Sequence, residues 1–110
     1  MKTNLGEYIR LLRTKNGLTL TQLGGQLNID SGALSKIETG KKRLDESSLP
    51  RLAKIFSLDL NELKDEYFSE KIANEIYNNN CSDKVLTLAE EKVKYIRNNN
   101  VRQGKLNLTS

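Results

Sequence analysis

Apolar residues recur along this chain at helical spacing, and polar capping residues separate the segments. Near the N-terminus Leu5, Ile9 and Leu12 form a stripe; Asn4 and Glu7 suit a helix start, and Gly17 suits its end. The pattern predicts a first helix over residues 4–16. In the second segment Leu20, Leu23 and Leu27 fall at i, i+3 and i+7. Thr19 and Gln22 stand in capping-box relation ahead of them. A third segment has the apolar pair Leu34 and Ile37, with Asp30 as N-cap acceptor and Gly40 where a C′ residue takes a positive φ. Only Asn28-Ile29-Asp30 joins these two segments, so the connection is a sharp turn. Gly24 and Gly25 cost the second helix about 1 kcal/mol each relative to alanine. Gly24, beside the turn, is placed to let another helix approach closely.

Further on, Leu49, Leu52, Ala53 and Phe56 predict a fourth helix over 47–56, with Pro50 confined to its first turn. Asp59 and Glu62 form a capping pair for a fifth. Beyond Lys64 the composition changes. Residues 67–78 read as a helix with Phe68, Ile72 and Ile76 on one face. After a break at Asn78-Asn79-Asn80-Cys81, a last helix over 83–97 carries Leu86, Ala89, Val93 and Ile96 at i, i+3, i+7 and i+10. The tail from Asn98 has no period and is expected to be disordered. The predicted organisation is therefore 1–66, a helical extension at 67–97, and a tail at 98–110.

Two short helices around a tight turn, residues 19–40, followed by Lys41-Lys42-Arg43, read as a helix-turn-helix. In that motif the second helix enters the major groove and presents its N-terminal and outward residues to base edges. Outward here means away from Leu34 and Ile37: Ser31, Gly32, Ser35 and Lys36. Lys36 is the best base reader, since an ammonium donates to guanine O6 and N7. Ser31 and Ser35 donate or accept, and Gly32 lets the backbone come close to the groove. The plainer reading of Lys36 is a solvated surface lysine. Lys41, Lys42 and Arg43 suit phosphate, where charge neutralisation supplies affinity without sequence information, and Thr39 adds a hydroxyl. The bland alternative is an ordinary charged loop. The small head of the helix points to DNA shape as part of the specificity.

These residues resemble a known family. Positions 5–63 are similar to the Cro/repressor-type (XRE-like) helix-turn-helix domain. The matching pieces are Leu5 to Arg13, Gly17-Leu18-Thr19, Gln22-Leu23, Leu27, Ile29, Leu34 to Lys41, Leu52-Ala53-Lys54, and Leu58 to Leu63. The stretch L-S-K-I-E-x-G-K is the most specific part. Leu20 stands where the family usually carries a glutamine; Gln22 follows two places later. The resemblance implies an all-α fold, a compact five-helix repressor-like bundle here followed by a short C-terminal helical extension. It implies sequence-specific binding of double-stranded DNA, with phosphate contacts near Thr19 and Gln22. It also implies that Arg13, ending the first helix, faces Glu38, ending the third, as a guanidinium–carboxylate pair.

Composition narrows the function. The 110 residues carry 36% hydrophobic but only 5% aromatic residues, so the core must be aliphatic. The net charge of +4 is a mild bias toward a polyanion, and between Lys36 and Arg43 four cations face one carboxylate, Glu38. With no histidine, His-based catalysis and histidine metal sites are unavailable, and one cysteine cannot build a zinc site. The adjacent pairs Asp45-Glu46 and Glu90-Glu91 read as solubilising charge, and Gly24-Gly25 lacks the lysine and spacing of a phosphate loop. Cys81 cannot form an internal disulfide and reads as a small, partly buried residue rather than a redox sensor. The expectations are no enzyme activity, no cofactor and no metal. No signal peptide or membrane span is visible, so a cytoplasmic location, on the nucleoid through DNA, is expected.

Together these features predict a transcriptional regulator, repressor or controller type, acting as a homodimer on a short palindromic operator, without a small-molecule effector. The stripe Leu86, Ala89, Val93 and Ile96 would be the dimer interface; capping of the same subunit's core is the alternative. A protein-interaction module of antitoxin or adaptor type, with DNA binding secondary, is the competing class. A non-specific nucleic-acid binder is a third, against which the modest charge argues.

Overall fold

The structure is a computed structural model that describes the backbone of residues 4–107 and the side chains of residues 4–100. Its elements are α1 (Leu5–Lys15), α2 (Leu20–Leu27), α3 (Ser31–Glu38), a 3₁₀ turn (Glu46–Ser48), α4 (Leu49–Phe56), α5 (Leu60–Asn78) and α6 (Lys84–Asn107). Among the described residues there is no strand. The fold is all-α.

Caps set the helix starts. The Asn4 side chain accepts from the Glu7 N–H at 2.9 Å, and Asp30 accepts from Ala33 at 2.8 Å. Thr19 and Gln22 form the complete capping box: Oγ1 accepts from the Gln22 N–H at 3.0 Å, and Oε1 accepts from the Thr19 N–H at 2.8 Å. Asp59 accepts from the Glu62 N–H at 3.0 Å. The helix ends share one device. After α1 to α5 a residue with positive φ (Gly17, Asn28, Gly40, Ser57 and Asn80) precedes an amide that reaches back five residues, as in Leu18 to the Arg13 carbonyl. Sharp turns therefore recur wherever one residue takes the left-handed conformation.

The chain divides into two compact units, one running to Ile72 and the other from Ala73. In the first, α3 packs against α1 and α2, and α2 against α4. Ile9, Leu23, Leu34, Leu49 and Leu52 are fully buried and, with Leu5, Leu27, Ile37 and Leu63, make the aliphatic core. Each such side chain contributes about 2 kcal/mol by leaving water. Phe56, from the fourth predicted stripe, is only partly buried against this core. The approach of α1 to α3 is close enough that a Cβ on Gly6 would lie 2.2 Å from the Ile37 carbonyl oxygen.

Four expectations need correction. The segment at 67–78 is not a separate helix: α5 continues through it, because Lys64-Asp65-Glu66 contains neither a breaker nor a cap. The first unit passes residue 66 because Tyr67, on α5, is buried in the core and Glu70 accepts the Leu5 N–H at 2.8 Å. The last helix runs to Asn107 instead of stopping at 97. Three asparagines lack the proline or positive-φ residue that ends a helix, and each costs only a few tenths of a kcal/mol (about 0.5) relative to alanine. Residues 108–110 of the expected tail lie outside the described residues. Cys81 is exposed, not partly buried, since it follows the turn that ends α5. In the second unit Leu86, Val93 and Ile96 are exposed, as is Ala89. No helix is long and apolar enough to cross a membrane among the residues described.

Candidate nucleic-acid interface

Helix α3 is anchored by one face. Leu34, Ile37 and Glu38 are buried, which turns Ser31, Gly32 and Lys36 to solvent, while Ser35 is half-buried. Gly32 and Lys36 are one turn apart, as are Ser31 and Ser35, so the four share one outward side. At the head of this helix Asp30 spends an oxygen on the Ala33 amide, which leaves Ser31 and Gly32 as the exposed first turn.

The turn before α3 is built on backbone contact. Ile29 donates to the Gly24 carbonyl at 2.8 Å, and a Cβ on Gly24 would sit 2.4 Å from the Ile29 oxygen. Gly24 therefore admits the turn's own backbone, not the neighbouring helix expected from its position. A Cβ on Gly25 would meet nothing within 4 Å outside its own helix backbone.

Behind the exposed face, Arg13 holds the end of α3. Its Nε donates to Glu38 Oε2 at 2.7 Å and its Nη2 to Oε1 at 3.0 Å, the bidentate form of the pair. The remaining Nη1 donates to the Leu18 carbonyl at 2.8 Å. The Glu38 hydrogen bonds raise the guanidinium pKa and its burial opposes them; the charge on Glu38 adds to the rise. Glu38 is 5% exposed, so its charge is compensated where water cannot do it. One arginine thus joins α1, the entry to α2, and the end of α3.

The basic run follows α3 at once. Lys41, Lys42 and Arg43 are all exposed, whereas Leu44 is buried. The Lys41 and Lys42 amides donate to the Lys36 carbonyl at 2.8 and 3.2 Å, so the loop starts folded against the helix end. Lys42 and Arg43 share a groove with Asn28, Ser47 and Ser48. Thr39 is placed differently from its expected use: its hydroxyl donates to the Ser35 and Lys36 carbonyls at 2.9 and 3.3 Å. That proton is engaged within α3, which weakens Thr39 as a phosphate donor. Thr19 and Gln22 are exposed, and their side-chain oxygens are spent on the cap, which leaves the Gln22 NH₂ group outside it.

Three positions escaped the sequence reading. Gly6 shares the buried side of α1 with Leu5 and Ile9, and a glycine on a core-facing stripe was the available signal. The bonds from Tyr67 to the Leu44 carbonyl (2.7 Å) and from the Leu5 amide to Glu70 span 23 and 65 residues and leave no periodic trace.

A family profile described as a helix-turn-helix domain matches residues 4–65, more than half of the chain. The chain belongs to the helix-turn-helix domain family. That membership makes it a DNA-binding protein. Among solved structures, the clp gene regulator ClgR from C. glutamicum is similar over 60% of this chain and 86% of that one, at 24% identity and a TM-score of 0.47. No curated protein matches the chain significantly. The matched span ends before the second unit begins, so α6 lies outside the helix-turn-helix domain.

Proposed function

We propose that this protein is a sequence-specific transcriptional regulator of the Cro/repressor (XRE-like) type, a repressor or controller that binds a short inverted repeat as a homodimer. The observation that carries the reading is the exposed side of α3, Ser31, Gly32, Ser35 and Lys36, continued directly by Lys41, Lys42 and Arg43. The helix supplies base contacts and the loop supplies phosphate contacts, the division of labour by which such domains combine specificity with affinity. With only one long donor, Lys36, among small residues, direct readout is sparse and the shape of the operator carries the rest.

A single α3 reads only a few base pairs, and a two-fold dimer extends the site to half-sites about 34 Å apart. The stripe Leu86, Ala89, Val93 and Ile96 supports α6 as the dimer element, since it is apolar, helical in spacing and exposed in the single chain. The same stripe also supports the competing class, an antitoxin or adaptor that holds a different protein.

Selection of sites from a random double-stranded pool, repeated with Lys36→Ala, tests the reading. The expected result is a palindromic motif with one position relaxed in the variant, by about 1–3 kcal/mol of lost discrimination. A motif that is not palindromic would remove the two-fold dimer. Retention of all sequences alike would remove sequence-specific regulation.

A further inference from the structure

The basic loop is pinned at both ends, and the far pin comes from a residue outside the helix-turn-helix. At its start, the Lys36 carbonyl accepts the Lys41 and Lys42 amides. At its close, the Leu44 side chain is 2% exposed in the core, and the Leu44 carbonyl accepts a 2.7 Å hydrogen bond from the Tyr67 hydroxyl. Tyr67 is itself buried on α5 and packs edge-to-face on Phe68, with ring centroids 5.3 Å apart. Between the two pins the side chains of Lys41, Lys42 and Arg43 stay exposed.

We propose that Tyr67 is a positioning residue for DNA binding: its hydroxyl holds the Leu44 backbone so that Lys41, Lys42 and Arg43 meet the phosphates together. The inference rests on the proposed DNA-binding reading and extends it to α5. A phenylalanine would fill the same space in the core, so packing alone does not explain a hydroxyl here. What the oxygen adds is one donor, directed at the residue that follows Arg43. Without it the Leu44 carbonyl is left unpaired in a site closed to water, and the backbone recovers a partner only by moving outward. Three cations on a displaced backbone no longer match the fixed spacing of phosphates, and fewer counterions are released on binding. The local charges fit this role. Burial pushes the Tyr67 phenol pKa up, the Arg43 charge pulls it down, and Glu46 and Asp45 push it up again. The hydroxyl therefore keeps its proton for donation at neutral pH, within reach of the Arg43 field.

The test uses the full chain, a mixed-sequence synthetic duplex, and affinity measured over a range of salt. Tyr67→Phe is expected to weaken binding several-fold and to flatten the slope of log K against log salt by about one, the signature of one lost phosphate contact. In a background where Lys41, Lys42 and Arg43 are all alanine, Tyr67→Phe is expected to change neither quantity, because the contacts it organises are gone. An unchanged slope in the first background, or an equal loss in both, overturns the positioning role while leaving DNA binding intact. Wild-type protein that does not bind the duplex overturns the DNA reading and this inference with it. Amide hydrogen exchange of the free protein gives a readout independent of DNA. Exchange in Tyr67→Phe should accelerate over residues 41–46 and not in the core of α1 to α4; unaltered exchange there sinks the proposal, and acceleration everywhere assigns Tyr67 to general stability.

Discussion

The Glu38 carboxylate shows how much one residue can carry. It is nearly inaccessible, and Arg13 satisfies both of its oxygens. Removing one member of such a pair costs more than the pair is worth, because the other is left charged in a poor solvent. Glu38→Ala should therefore destabilise the first unit by about 2 kcal/mol, somewhat below the 3–5 kcal/mol of fully buried pairs because the Arg13 side chain keeps 13% of its exposure. Replacing both residues by apolar ones of similar volume should recover part of the loss. Thermal melts of the two variants check this, and an unchanged melting temperature in Glu38→Ala would contradict it. The resemblance to Cro/repressor-type domains pointed to this pair. Composition and spacing did not, since 25 residues separate the two groups and neither lies on an apolar stripe.

At the scale of elements, the helices are short and their boundaries are local chemistry. Asn4, Thr19, Asp30 and Asp59 each bond an amide three residues on, and each is readable as a cap in the sequence. The ends were less legible where a non-glycine takes the positive φ. Ser57, at φ 53, closes α4 in a conformation that costs an L-residue about 1 kcal/mol. Ser57→Gly should raise stability by several tenths to about 1 kcal/mol, the relief of strain being partly offset by the greater freedom of the unfolded chain. Denaturant titration is the check, and no gain would mean that the serine side chain already compensates the strain. Because Ser57 is remote in sequence from the α3 and basic-loop residues, DNA affinity should not change. Helix α5 is one helix where the sequence pattern predicts two, for a related reason. A change of composition at Lys64 marks where the family pattern ends, and a helix needs a stop signal, not a change of composition, to end.

At the scale of the molecule, the first unit has a closed core, whereas α6 carries its apolar residues uncovered. Leu86 is 60% exposed and Ile96 55%. A 24-residue helix with such a stripe gains its stability from a surface that buries it. The proposed homodimer supplies that surface, so Val93→Glu should shift full-length protein from twice the chain mass to the chain mass in sedimentation equilibrium. The first unit should melt as before. The same variant should also bind a palindromic duplex at least tenfold more weakly, with the preference at each half-site retained. Wild-type protein that sediments as a monomer at all concentrations would remove the dimer and favour a different protein as the partner of α6.

Local sequence specifies α1 to α4, the caps of α1, α2, α3 and α5, the sharp turn at residues 28–30, and the inward and outward sides of α3. Those properties depend on residues three to seven positions apart, within the range that periodicity and capping rules describe. It also carried the run of cations beside that helix and the lack of histidine. Which backbone meets which is settled by the folded chain. Gly6 allows the α1–α3 approach, Glu70 meets the start of α1, and Tyr67 holds the loop through Leu44. Each of these joins residues distant in sequence and adds nothing to a local pattern. Their physical content is a buried polar group that must find a partner, and only the folded chain says which partner is within reach.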